Sequence, residues 1–343
     1  MTRSCWAGTA VGTAAAAATE AAPVIRVRRD RDSGFTDSPP GGRRCLEWKE
    51  VGLYRSPRGT IVAMKSEAGS RRRWLAPTGV AALALLLASL LPAQWWRPVP
   101  ARYPEEGRQY LEGFVFCRGQ YRQVVDEWLG QGWFTDYPDS EYNFMTRLAQ
   151  LTTVEIQRTA YGDPEHLVLT LDDPRLFEFP FLFMSDVGTI GIDDVEAENL
   201  RKYLLAGGFL YVDDFWGPQA WDRWAGQIGR VLPPGEYPIV DIPLDHPIFR
   251  TFFTVEEVPQ IPSIQYWNMT GRADTSERGH RSAEPHFRGI FDEHGRLMVA
   301  MTHNTDIADG WEREGESREF FERFSLTKSY PFGVNLVLYA LSH

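Results

Sequence analysis

Residues 180–214 read PFLFMSDVGTIGIDDVEAENLRKYLLAGGFLYVDD, and their reading decides the fold. Residues 180–184 are a continuous apolar run of the kind buried inside a parallel sheet, closed by Ser185-Asp186. Asp193 and Glu196 then stand at capping-box spacing ahead of Ala197, Leu200 and Leu204, which recur with helical period. Gly207-Gly208 ends that helix, since glycine enters the left-handed C-terminal cap without a Cβ penalty. Residues 209–212 form the next strand, with Asp213-Asp214 at its end. Strand, helix, strand over residues 180–212 predicts a right-handed parallel crossover. Ligands of open α/β sheets bind beyond the carboxyl ends of the strands, which makes Asp186, Asp213 and Asp214 candidates by position.

Outward from this unit, residues 114–117 read as a strand, residues 140–151 as a helix through Tyr142, Met145, Leu148 and Leu151, and residues 154–156 as a further strand. Gly217-Pro218 opens a helix carrying Trp221, Trp224, Ile228 and Val231. Residues 289–292 and 297–301 flank Glu293-His294-Gly295-Arg296 as a hairpin, and its second strand delivers His303, Asn304 and Asp306. Residues 332–341 predict a last helix packed on the sheet.

The front of the chain has a different composition. Residues 1–63 combine an alanine run at 14–18, Pro39-Pro40-Gly41-Gly42 and arginines at 26, 28, 29, 43 and 44, with no sustained apolar period, so they bury no core. Met64, Lys65 and Arg71-Arg72-Arg73 precede the uncharged stretch WLAPTGVAALALLLASLLPA at residues 74–93, the charged and apolar regions of a secretory signal. The expected organisation is a disordered upstream extension at 1–63 with Met64 as the initiator, and a signal peptide or membrane anchor at 64–93. A linker at 94–109 and one α/β domain at 110–343 follow. Cleavage after Ala93 gives a periplasmic or secreted protein. Retention leaves a span of about 20 residues as a tether from Trp74 to Ala93, with the domain outside the cytoplasm in either case.

Charge changes sign at the same boundary. The 36 basic and 46 acidic residues divide as 14 and 7 up to Ala93, and as 22 and 39 beyond it, a net charge of about −17 for the later part. That balance argues against nucleic acid or an anionic membrane surface as a partner. Of the three cysteines, Cys5 and Cys45 lie in the extension, so Cys117 is alone after the leader and forms no internal disulfide.

Several segments together carry a resemblance that covers residues 110–343. They are Trp133-Phe134-Thr135-Asp136-Tyr137-Pro138 with Asn143-Phe144, residues 207–214, and Asp245-His246-Pro247-Ile248-Phe249. His303-Asn304-Thr305-Asp306, Asp309-Gly310-Trp311-Glu312 and Gly333-Val334-Asn335 complete the set. The chain resembles the bacterial domain of unknown function 4159 family. The resemblance implies a class I glutamine-amidotransferase-like fold, a parallel flavodoxin-like sheet flanked by helices, with trehalose-utilisation-type proteins as distant relatives. In amidotransferases the strand after the Gly-Gly stop leads into a sharp turn bearing a cysteine nucleophile. Here that turn reads Asp213-Asp214-Phe215-Trp216-Gly217 and holds no cysteine, so glutamine hydrolysis lacks its thiolate.

The polar groups expected at the strand ends are Asp213, Asp214 and Asp186, joined from a later strand by His303, Asn304 and Asp306. Carboxylates and an imidazole together can hold a divalent metal or supply an acid and a base, with Asp213, Asp214 and His303 as catalytic candidates. Asp186, Trp216, Asn304 and Asp306 are the ligand-binding candidates. The competing structural roles are a helix cap for Asp213 or Asp214, a turn for Asn304 or Asp306, and core packing for Trp221 and Trp224. No ordered metal-ligand spacing such as H-E-x-x-H or C-x-x-C occurs. Acidic residues of the segment 309–312 can face the same pocket. The function these features favour is an exported binding or assembly module that meets an envelope protein or saccharide partner. The alternative is a carbohydrate-directed or metal-assisted hydrolase using Asp213, Asp214 and His303.

Overall fold

A computed structural model describes residues 100–110 and 112–343. The expected extension, the signal or anchor segment and the start of the linker lie outside the described residues. No helix among the described residues is long and apolar enough to cross a membrane.

Seven strands form one sheet in the order β3 (His166–Thr170), β1 (Phe116–Gln120), β4 (Phe181–Ser185), β6 (Phe209–Asp213), β9 (Leu297–His303), β8 (His286–Phe291) and β7 (Ile239–Asp241). The first five run parallel, and the last two joints are antiparallel. The wholly parallel sheet implied by the resemblance is therefore corrected to a mixed one. The reason is local: the tight turn around Gly295 reverses the chain between β8 and β9, and a hairpin can join only antiparallel strands. A small separate pair, β2 (Arg122–Gln123) with β5 (Ile190–Gly191), sits apart from this sheet.

Alternation along the central strands sorts two chemically distinct faces. Phe116, Phe181, Phe183, Phe209 and Tyr211 point to one side, where they meet α1 (Asp139–Leu151) and the C-terminal helix. Cys117, Leu182, Met184, Leu210 and Val212 point to the other, against α2 (Asp194–Leu205) and α3 (Gly217–Val231). The Asp193 carboxylate accepts from the backbone N–H of Val195 and Glu196 while Glu196 reaches back to the Asp193 N–H, so the expected capping box starts α2. Gly207, at φ 115, then turns the chain into β6. The remaining helices are α4 (Ile264–Met269), α5 (Asp309–Glu312), α6 (Arg318–Phe320) and α7 (Tyr330–Ser342).

Residues 154–156 do not form the expected strand. Ile156 makes one parallel bridge to Phe114 and the chain moves on. The edge strand β3, ten residues later, occupies that side of β1 instead. Because β3 and β4 leave β1 on opposite sides, the connections diverge there and open a crevice at the carboxyl ends of the parallel strands.

One buried cation holds the loop above that crevice. Arg118 on β1 is wholly buried, pairs with Glu141 at the start of α1, and donates to the carbonyls of Trp133 (2.9 Å) and Thr135 (2.6 Å). It also donates to Ser140 Oγ at 3.0 Å, and Ser140 Oγ donates in turn to Glu141 at 2.9 Å. Removing one partner of a buried pair strands the other, so Arg118→Met is expected to cost about 3–5 kcal/mol. A urea unfolding midpoint within error of the wild type would contradict this account of the loop.

Candidate functional site

Three neighbouring parallel strands end the same way. Asp186 follows β4 at φ 52, Asp214 follows β6 at φ 54, and Asn304 follows β9 at φ 64. Asp and Asn are the side chains that tolerate this left-handed conformation best. Each reversal turns the chain away from the sheet, and the backbone stays tied: the Asp186 N–H donates to the Asp213 carbonyl, and the Asn304 N–H to that of Phe215. Asp136, on the loop that Arg118 holds, is left-handed too, at φ 66.

These turns surround a small cavity of about 40 Å³ walled by acidic side chains. Asp214 and Asp186 reach it from the strand ends, Asp136 and Glu127 from the segment after β1, Asp306, Asp309 and Glu312 from the segment after β9, and Glu277 from the long connection before β8. Several of these groups spend one oxygen on the scaffold. Asp186 Oδ2 accepts from the Gly132 N–H at 2.7 Å, Asp214 Oδ1 from Trp216 Nε1 at 2.9 Å, and Asp306 Oδ1 from the Asp309 N–H at 2.8 Å. Asp309 Oδ2 accepts from the Ile264 N–H at 3.0 Å, and Glu312 lies 2.6 Å from Arg313 Nε. Asp136 is 7% exposed and lies against Glu312, and its Oδ2 is buried without a hydrogen-bond partner.

Ligating oxygens of Asp136, Asp214 and Asp306 all lie within 4.8 Å of one another, and so do those of Asp136, Asp309 and Glu312. Arg313 serves the second group, whereas Asp136, Asp214 and Asp306 have no ion-pair partner among the described residues. Two unit charges that close repel by about 3 kcal/mol at an effective dielectric constant of ~20, so the groups cannot all ionise unaided. Their acidities follow. Burial pushes Asp136 up to about 6. Burial and then the Glu127 charge push Asp186 to about 9, and burial followed by Asp136 and Asp309 pushes Glu312 to about 10. Asp214, Asp306 and Asp309 are also raised well above the carboxylate range, by burial first and by neighbouring carboxylates after it.

Of the residues expected at this rim, Asp186, Asp214, Trp216 and Asp306 line the cavity. Asp213, Asn304 and His303 do not. Asp213 is held beneath the rim, where Oδ1 accepts from Thr302 Oγ1 at 2.5 Å and Oδ2 from the Ala308 N–H at 2.9 Å. Both its oxygens are engaged. Asn304 accepts from the Gly217 N–H at 2.8 Å and donates to the Glu284 carbonyl at 2.8 Å, fastening β9 to the start of α3. His303 turns toward α3, its ring packed on Phe215 and Trp221, and Nε2 donates to the Gly217 carbonyl at 3.0 Å. Burial lowers it to about 4, so it is a neutral imidazole in an aromatic stack. Cys117 is buried in β1 with its thiol against the Val115 carbonyl, and burial raises it well above the ordinary thiol value.

Glu127, Glu277 and Arg278 went unnoticed in the sequence, because each lies in an irregular segment with no period to place it. Arg278 donates to Glu127 at 2.7 Å and to the Trp128 carbonyl at 3.0 Å, so it joins two loops across the mouth. Gly130 had no signal either, yet a Cβ there would land on the Asp186 carboxylate.

Fold and site together define an α/β domain with an acidic pocket at the carboxyl ends of its parallel strands and, among the described residues, no thiol beside it. Residues 120–341 match the family described as "Domain of unknown function (DUF4159)", and the chain belongs to that family. No curated protein matches the chain.

Raised carboxyl pKa values make the folded state hold protons more tightly than the unfolded chain. The stability they contribute is complete below about pH 4 and is lost as pH rises toward about 9–10. Thermal unfolding in chelator-containing buffer should therefore show a lower midpoint at pH 9 than at pH 5, with a shallower slope for Asp186→Asn. Equal slopes in the two proteins would contradict the shared-proton picture.

Proposed function

We propose that the chain is an exported binding module of the cell envelope, built on an amidotransferase-like fold without its cysteine, and that it holds an acidic saccharide beside the carboxylate pocket. The observation that carries this is a cleft of about 330 Å³ lined by Trp128, Trp216, Gln219, Arg223, Arg278 and Arg281. It shares Glu127, Trp128, Trp216 and Arg278 with the acidic cavity and is contiguous with it. The indole of Trp128, 55% exposed, can stack on a sugar ring, and guanidinium groups bind carboxylates in paired hydrogen bonds. Arg278 lies over the Trp128 ring, 5.4 Å from its centroid. Arg223 and Arg281 have no ion-pair partner among the described residues, so their charge is available to a ligand.

Support for the amidotransferase-like part comes from the elbow. Asp214 holds the left-handed conformation between β6 and α3, at the turn where the resembling fold carries its nucleophile. A carboxyl there, bonded to an indole N–H, is no substitute for a thiolate in acyl transfer. Support for export comes from the leader at residues 64–93.

Calorimetric titration with an oligogalacturonate should give saturable binding, weakened about fivefold or more by Arg223→Gln, with no binding of a neutral dextran of equal length. Equal binding of both saccharides, or of neither, would overturn the reading. Mass spectrometry of the envelope fraction should find an amino terminus at Gln94, or a retained tether. Recovery of the protein only from the cytoplasm would contradict export.

A hydrolase is the second reading, and Asp136 favours it: a carboxyl held at about 6, with one buried oxygen lacking a partner, is a competent general base near neutral pH. In that reading Asp136 and Asp214 act in place of Asp213 and His303. Reducing ends released from the oligogalacturonate, and lost in Asp136→Asn, would select it over simple binding.

A further inference from the structure

We propose that the acidic cavity is a binding site for a hard divalent cation of the calcium class, centred on Asp136 and completed by Asp214 and Asp306, with Asp309 and Glu312 supplying the outer oxygens. This deepens the binding reading and rests on the same rim.

The decisive observation is Asp136. Its side chain is more than nine-tenths buried and lines the cavity, and its Oδ2 is wholly enclosed without a hydrogen-bond partner. A buried carboxylate oxygen without a donor is costly unless something positive completes it. No side chain does: the arginines at the rim are engaged elsewhere, Arg313 with Asp309, Glu312 and Glu316, and Arg278 with Glu127 and Glu277.

The geometry suits an ion. Calcium takes oxygen ligands at ~2.3–2.6 Å, so two oxygens bound to one ion stand no more than about 4.6–5.2 Å apart. Oxygens of Asp136, Asp214 and Asp306 satisfy that limit mutually, as do those of Asp136, Asp309 and Glu312. Asp136 is common to both triads. The scaffold bonds already described fix Asp214 and Asp306 by one oxygen each and leave the other for a ligand, while Asp309 gives Oδ2 to the Ile264 N–H and shares Oδ1 with Arg313. Neither triad contains histidine or cysteine, which points to a hard cation and away from zinc or copper. Size agrees as well. A cavity of about 40 Å³ has room for an ion with a water or two, given ~10–15 Å³ per water, but not for a sugar ring.

In this arrangement the cation lies under the arginine-lined cleft and, through the shared wall, beside the carboxylates of a bound acidic saccharide. The full-length protein, stripped with EDTA and returned to chelator-free buffer, is titrated with calcium chloride by calorimetry, with magnesium chloride as a second arm. Saturable binding is expected in at least the calcium arm, weakened about tenfold or more by Asp136→Asn and by Asp306→Asn. Glu198→Gln, on the exposed face of α2, should bind as the wild type does. Asp136→Asn keeps the shape and removes one of three like charges, so it should fold, melt no lower than the wild type in EDTA, and show no calcium-dependent rise in midpoint. No saturable heat with either cation, or equal affinity in the wild type and both Asn variants, would overturn the proposal. Cation binding is measured without saccharide, so its failure is distinguishable from failure of the saccharide reading, which Arg223→Gln tests separately.

Discussion

The fully buried guanidinium of Arg118 is the constraint on which the rim depends. It sits on β1, inside the parallel sheet, and its donors reach the Glu141 carboxylate, Ser140 and two loop carbonyls. A fork of fixed geometry can satisfy that many acceptors only in one loop conformation. The loop therefore arrives at Asp136 with little freedom, and Asp136 takes a left-handed turn that aims its side chain into the crevice. The sheet supplies the crevice through the divergence of the connections around β1. Arg118 turns it into a pocket with a wall.

From there the electrostatics follow. Eight acidic side chains line one small cavity with two arginines, and the arginines are spent on pairs at its edge. Such a group lowers its charge by holding protons or by holding a cation, and the two compete for the same oxygens. Stability changes with pH and cation binding are thus two views of one frustrated arrangement. A cluster of this kind is costly to fold around, which is the ordinary mark of a site kept for function rather than for packing.

The crossover at residues 180–212 was legible because every signal agreed: an apolar run, a capping box, helical period and a glycine stop. The hairpin was legible for the same reason, and it already implied that the sheet could not be wholly parallel. Strand β3 was missed since HLVLT is short and lies at the edge, although the turn residues Gly162-Asp163-Pro164 stand just before it. At the site, position along a strand predicted which residues reach the rim, but not which face each side chain takes. Asp213 and Asp214 are neighbours in sequence and part at the sheet, one to a structural pair of hydrogen bonds, the other to the cavity. His303 parts from Asp306 similarly, one residue before the left-handed turn and the other two after it. Glu127, Glu277 and Arg278 are brought in by loops whose paths depend on tertiary contacts, and no local pattern announces them.

The most direct test of this account is anomalous diffraction from crystals of the protein soaked in manganese chloride, with data collected near the manganese edge. A peak bounded by Asp136, Asp214 and Asp306, with Asp136 Oδ2 among its ligands, is the predicted result. Asp136 turned away from the cavity and hydrogen-bonded elsewhere, with no peak at the rim, would contradict it.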